Sequence, residues 1–62
     1  MNRRAKSKLI RKIAKLDRAW RLGGKAEGRI ENALAFQLGQ AYRAGLGAAA
    51  RKVQIRNAAR LG

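Results

Sequence analysis

Six basic residues near the amino end, Arg4, Lys8, Arg11, Lys12, Lys15 and Arg18, recur at spacings of three and four. Turned by 100° per residue on a helix, they fall within a sector of about 120°. Leu9, Ile13, Leu16 and Trp20 centre on the opposite side, with Ile10 at its edge. A helix therefore separates charge from apolar surface cleanly, and this pattern constrains the chain more than any other feature. Asp17 falls on the flank of the apolar side, near Arg21, so the six cations meet no acid on their own face.

The chain has no proline, which leaves its seven glycines as the only punctuation. They divide it into three helical stretches. The first is expected over about 7–22, with Ser7 as N-cap but no Glu or Gln three residues later, and it ends at Gly23-Gly24. The second covers about 26–43 and opens with Glu27 and Glu31, where the positive end of the helix dipole favours acids. Gly28 and Gly39 weaken it. The third covers about 48–61, after Gly45-Leu46-Gly47 and before Gly62, and its alanine-rich start favours helix. Gly45 and Gly47 permit a turn without requiring it, so two helices or one kinked rod both stay open. No segment reads as a strand. The expected fold is all-α, with two to three short amphipathic helices forming a helical hairpin or a small three-helix arrangement in one domain over 1–62.

Such a domain has little to build a core from. Hydrophobic residues make up 47% of the sequence, but 13 of them are alanine and carry little transferable area. A chain of 62 residues also buries only about 60% of its unfolded surface. Ile30, Leu34, Leu38 and Ala41 or Tyr42 form a second apolar stripe, expected to pack against the Leu9 to Trp20 stripe across the glycine hinge. Trp20 reads first as a core anchor, and second as a stacking or membrane-interface residue. Phe36 lies away from the stripe. In the third helix Val53, Ile55 and Leu61 are scattered rather than aligned, and the expectation is that it orders only on its target.

Sixteen Lys and Arg against three acids give a net charge of +13. A compact chain with that charge repels itself, and bound anions relieve the repulsion. A merely solvated face usually mixes signs, whereas the first helix carries one sign only. Lys52, Arg56 and Arg60 add a shorter basic stripe on the third helix. Both stripes suit a phosphate backbone, which presents regular anionic oxygens, releases counterions when neutralised, and takes bidentate contacts from arginine. The expected function is non-catalytic binding of RNA or DNA through phosphate contacts from Arg4, Lys8, Arg11, Lys12, Lys15, Arg18, Lys52, Arg56 and Arg60, as in a ribosome-associated protein or a phage or bacterial nucleic-acid-binding factor. No zinc-finger, RNA-recognition, KH or convincing helix-turn-helix signature appears, so base-specific reading is not expected.

The alternative is a peripheral module lying on an anionic membrane surface, since a basic face beside a Trp-bearing apolar face also suits lipid headgroups. Nucleic acid is preferred because the basic residues continue into the third helix, where no coherent apolar face exists to enter a bilayer. A homo-oligomer or a larger assembly also fits as partner. No cofactor or metal is expected, because the chain has neither Cys nor His. Catalysis is not expected either. Glu27 and Glu31 have no defined pocket, and Gly23-Gly24-Lys25 lacks the spacing of a phosphate-binding loop.

A cytoplasmic location is expected. The most apolar stretch, 33–50, is broken by Gln37, Gln40 and Arg43, short of the roughly 18 residues a span needs. The basic amino end resembles a signal-peptide n-region, but charge continues every three or four residues where an apolar segment would follow. A mitochondrial presequence would be followed by a mature domain.

The run Arg29-Ile30-Glu31-Asn32-Ala33-Leu34-Ala35-Phe36-Gln37-Leu38-Gly39-Gln40-Ala41 resembles a segment of some bacterial surface-polysaccharide glycosyltransferases, in which an Asn-x-Leu-x-x-x-Leu-Gly-x-Ala pattern follows basic residues. The likeness rests on Asn32, Leu34, Leu38, Gly39, Gln40 and Ala41. It implies an accessory helical module similar to the part of such enzymes that lies on the cytoplasmic membrane. It implies no glycosyltransferase activity, because the nucleotide-sugar-binding domain has no counterpart in the sequence.

Overall fold

Asn2, not Ser7, opens the first helix. Its backbone stays extended while its Oδ1 accepts the Ala5 backbone N–H at 2.8 Å, which satisfies one of the orphan donors at a helix start. The computed structural model describes residues 2–23 and 28–61, and within them builds three helices: α1 Arg3–Leu22, α2 Gly28–Arg43 and α3 Gly47–Leu61. The first helix thus begins a full turn earlier than Ser7 suggested, taking in the cations at positions 3 and 4. Ser7 is an exposed interior residue of α1. Gly24, Lys25, Ala26 and Glu27 lie outside the described residues, and with them the expected opening of the second helix and half of its acidic pair. The expected stop at Gly62 lies outside them too. No strand occurs among the described residues.

The link between α2 and α3 resolves the choice between a rod and two helices. Gly45 adopts φ +75°, and its N–H donates to the Tyr42 carbonyl at 3.1 Å while the Leu46 N–H donates to the Ala41 carbonyl at 2.7 Å. This crossed pair is the Schellman ending, in which a left-handed residue terminates the helix and the residue after it makes an apolar contact backwards. Leu46 fulfils that part by packing against the core that contains Ala41.

Helix α1 is the spine. At about 1.5 Å per residue its 20 residues run about 30 Å, nearly the full 33 Å length of the molecule. Its apolar stripe meets the α2 stripe as the spacing requires: Leu9, Ile13, Leu34, Ala41 and Ala50 are buried together, with Ile10, Leu16, Trp20, Leu38 and Leu46 half-buried around them. Trp20 is therefore a core residue, and the Arg21 guanidinium lies 5.8 Å from its ring centroid. Tyr42 and Phe36 stay outside, each 62% exposed.

The expectation for the third helix is corrected. Helix α3 packs along α1 with Ala50, Val53 and Asn57 on the buried side, a stripe at i, i+3 and i+7 that the scattered Ile55 and Leu61 conceal. Small and polar residues hold it there. Asp17 of α1 is fully buried, and its Oδ2 accepts Arg21 Nε–H at 2.8 Å and Asn57 Nδ2–H at 3.1 Å. Gln54 Nε2 donates to Oδ1 at a longer 3.4 Å, and Asn57 also donates to the Ala14 carbonyl at 3.1 Å. Arg21 reaches the Gln54 carbonyl at 3.4 Å. Position rises along α3 as it falls along α1 through these bonds, so the two helices run in opposite directions. A buried carboxylate is tolerated because its donors come from both helices, and that same requirement fixes their register.

Asp17→Ala should leave Asn57 and Arg21 only their backbone acceptors, at Ala14 and Gln54, and cost about 3 kcal/mol or more, which is most of what so small a core supplies. Urea titration followed by circular dichroism should find the variant largely unfolded, or folded with α3 released. A loss below about 0.5 kcal/mol, typical of a surface substitution, would contradict this account of α3. Gly45→Ala should cost about 1 kcal/mol in the same titration, because the αL conformation is unfavourable to a Cβ.

Candidate polyanion-binding surface

The six cations of the α1 stripe are all exposed, and so are Lys52, Arg56 and Arg60 of α3. The antiparallel pairing of α1 with α3 brings part of the two stripes together. Arg11, Lys15 and Arg18 line one wall of an open groove, Arg56 and Arg60 line the other, and Ala14 and Asn57 form its floor. Five of the nine expected residues thus share a single feature. Lys52 is one turn before Arg56 on α3 and stands outside this groove.

The remaining residues extend the surface in two directions. Arg4 and Lys8 border a hollow at the amino end of α1 with Arg3, Ser7 and Arg11. Lys8, Arg11, Lys12 and Lys15 rim a second cleft on the α2 side, where Ala5, Leu9 and Gln37 supply the other contacts. Arg11 belongs to all three depressions and Lys8 to two, so the basic face of α1 is continuous between its neighbours.

Among the described residues, no acid lines any of these depressions. Of the three acids in the sequence, Asp17 is buried beneath the α1–α3 seam and paired with Arg21, Glu31 is exposed on α2, and Glu27 is outside the described residues. Arg21–Asp17 is the one ion pair among the described residues. Like charges at i, i+4 on a helix oppose folding by several tenths of a kcal/mol per pair, and here that repulsion is not offset from within the groove. An anion seated between the two walls removes it.

The dimensions suit a phosphate chain. From Arg11 to Arg18 the α1 wall extends about 10 Å at about 1.5 Å per residue, and a nucleic-acid strand advances about 3.4 Å per phosphate along a duplex axis. That wall is long enough to meet more than one phosphate of a strand, with Arg56 and Arg60 facing it from α3.

Sequence reasoning missed Arg3, which the earlier start of α1 adds to the basic face, and Asn57, which floors the groove. Asn57 carries a legible signal, because it lies seven residues after Ala50 and four after Val53, on one stripe of α3. Comparison of the chain with family models, with characterised proteins and with solved structures gives no match in any of the three.

If the groove strains against its own charge, inorganic phosphate should raise Tm by a few degrees above sodium chloride at equal ionic strength. The Arg56→Gln/Arg60→Gln variant should lose most of that difference. Equal melting in the two salts would show that no anion is held there.

Proposed function

We propose that this protein is a non-catalytic polyanion-binding protein of the cytoplasm that holds the phosphate backbone of RNA or DNA in the α1–α3 groove. The observation that carries the reading is the convergence of Arg11, Lys15, Arg18, Arg56 and Arg60 from two helices on one open groove that no acid among the described residues lines. Two separate basic stripes would each be ordinary on a soluble helix. Their alignment by a buried polar cluster directly beneath the groove is what favours a ligand.

Phosphate suits these side chains for elementary reasons. Four arginines offer planar forks that engage two oxygens at once, and every cation placed against the backbone releases condensed counterions. Contacts of this kind position a nucleic acid without reading its sequence. Lys52 and the amino-terminal cations Arg4, Lys8 and Lys12 lengthen the contact at either side of the groove.

The packing of the first helix supports nucleic acid over lipid. An interfacial helix inserts its apolar face, but Leu9 and Ile13 are buried and Leu16 and Trp20 are half-buried in the core. Entering a bilayer would require α1 to give up the contacts that hold α2. No helix among the described residues is long and apolar enough to cross a membrane.

Titration of labelled duplex DNA at several salt concentrations tests the reading. Neutralisation of about five phosphates should lower log affinity by roughly four to five per tenfold rise in salt, and replacing Arg11, Lys15 and Arg56 by Gln should reduce that slope by roughly three. Circular dichroism of the variant should be unchanged. Salt-independent affinity rejects the phosphate model. Binding confined to anionic vesicles, with a blue shift of Trp20 emission, transfers the basic face to lipid.

A further inference from the structure

We infer that Tyr42 is a stacking platform for an unpaired nucleobase, which makes single-stranded rather than duplex nucleic acid the preferred ligand; the inference rests on the polyanion reading above. Tyr42 is the penultimate residue of α2, and the residue is 62% exposed. It does not hang freely from the helix end. A Cβ at position 47 would lie 2.7 Å from both Cδ1 and Cε1 of Tyr42, so the ring rests against the backbone of Gly47 at the start of α3. Glycine at 47 is what allows that approach, and the Gly45 turn delivers it.

The surroundings suit a nucleotide. Tyr42, Arg21, Arg51, Gln54 and Ile55 line one shallow cleft. An exposed ring that shares its cleft with the exposed Arg51 offers a π-face to a base and a charge to a neighbouring phosphate, while Arg21 is held by Asp17 and the exposed Ile55 adds apolar contact. The other two large aromatic residues lack this combination. Trp20 is packed in the core, and Phe36, equally exposed, has no cation at i±3 or i±4 on its helix.

The cleft and the groove stand on opposite flanks of α3. Counting 100° per residue, Arg51 faces one flank and Arg56 the other, with the exposed Lys52 between them on the outer side. A flexible strand held in the groove can pass over Lys52 and lay a base on Tyr42. That path bends around a helix about 10 Å across, far tighter than a duplex with a persistence length of about 50 nm follows.

The test compares three labelled probes: a single-stranded oligonucleotide, the same strand with abasic residues, and a duplex. The wild-type protein should bind the base-bearing strand about 5- to 100-fold more tightly than the abasic one. Tyr42→Ala should bring the two to equal affinity and leave duplex binding unchanged, while Tyr42→Phe, which keeps the ring, should retain the preference. Equal wild-type affinity for base-bearing and abasic strands overturns the stacking platform and leaves the phosphate groove standing, as does a preference that survives Tyr42→Ala. Failure of the wild type to bind any of the three probes overturns the polyanion reading, and the platform with it.

Discussion

The carboxylate of Asp17 is the constraint from which the rest of the structure follows. It is fully buried in a chain whose cations outnumber its acids by more than five to one, and it takes donors from Arg21 on its own helix and from Asn57 and Gln54 on α3. An ionised group away from water is tolerable only where its lone pairs are satisfied. Meeting that condition here demands one rotation and one register of α3 against α1. Apolar contact alone would not impose it, since α3 offers the seam little more than Ala50 and Val53. Directional hydrogen bonds supply the specificity that so few apolar side chains cannot.

Placing Asp17 inside has an electrostatic result on the outside. Its charge is answered by Arg21 beneath the seam, and the exposed cations that line the groove have no acid among the described residues beside them there. Arg18 and Arg56 each follow a member of the buried cluster, Asp17 and Asn57, by one position or precede it by one, so the register that satisfies the carboxylate also sets the basic walls facing each other. The energetics of the core and the geometry of the surface are two consequences of the same alignment. A chain with a core this thin keeps its repelling cations together at some cost in stability, which an anion bound between them would offset.

Much of this was legible in the residues. The segregation of Leu9, Ile13, Leu16 and Trp20 from the basic stripe announced α1 and its apolar face, and Ile30, Leu34, Leu38 and Ala41 announced its partner, because side chains at three- and four-residue spacings must share a side. The all-α class follows from those patterns, whereas the break between α2 and α3 was left open, because Gly45 and Gly47 permit a turn without requiring it. Helix α3 was misjudged because its packing stripe is alanine, valine and asparagine, which a search for large apolar side chains passes over. Asp17 was correctly placed near Arg21 on the apolar flank, but its bond to Asn57 joins residues 40 apart in sequence, and no local pattern encodes that pairing. For the candidate site, the residue types and stripes were visible while their meeting in one groove was not, since it depends on the α1–α3 register. Asn2 could have been read as the cap of α1, being a favoured N-cap type directly before the basic run.

The most direct test of the account is an amide-resolved NMR titration of the intact protein with a short RNA strand. Perturbations should gather on Arg11 to Arg18 of α1 and Arg56 to Arg60 of α3, on both sides of the seam that Asp17 holds, while the face of α2 around Phe36 stays silent. Shifts centred on Phe36, or confined to α1 with α3 unaffected, would contradict a two-walled groove as the place where the partner is held.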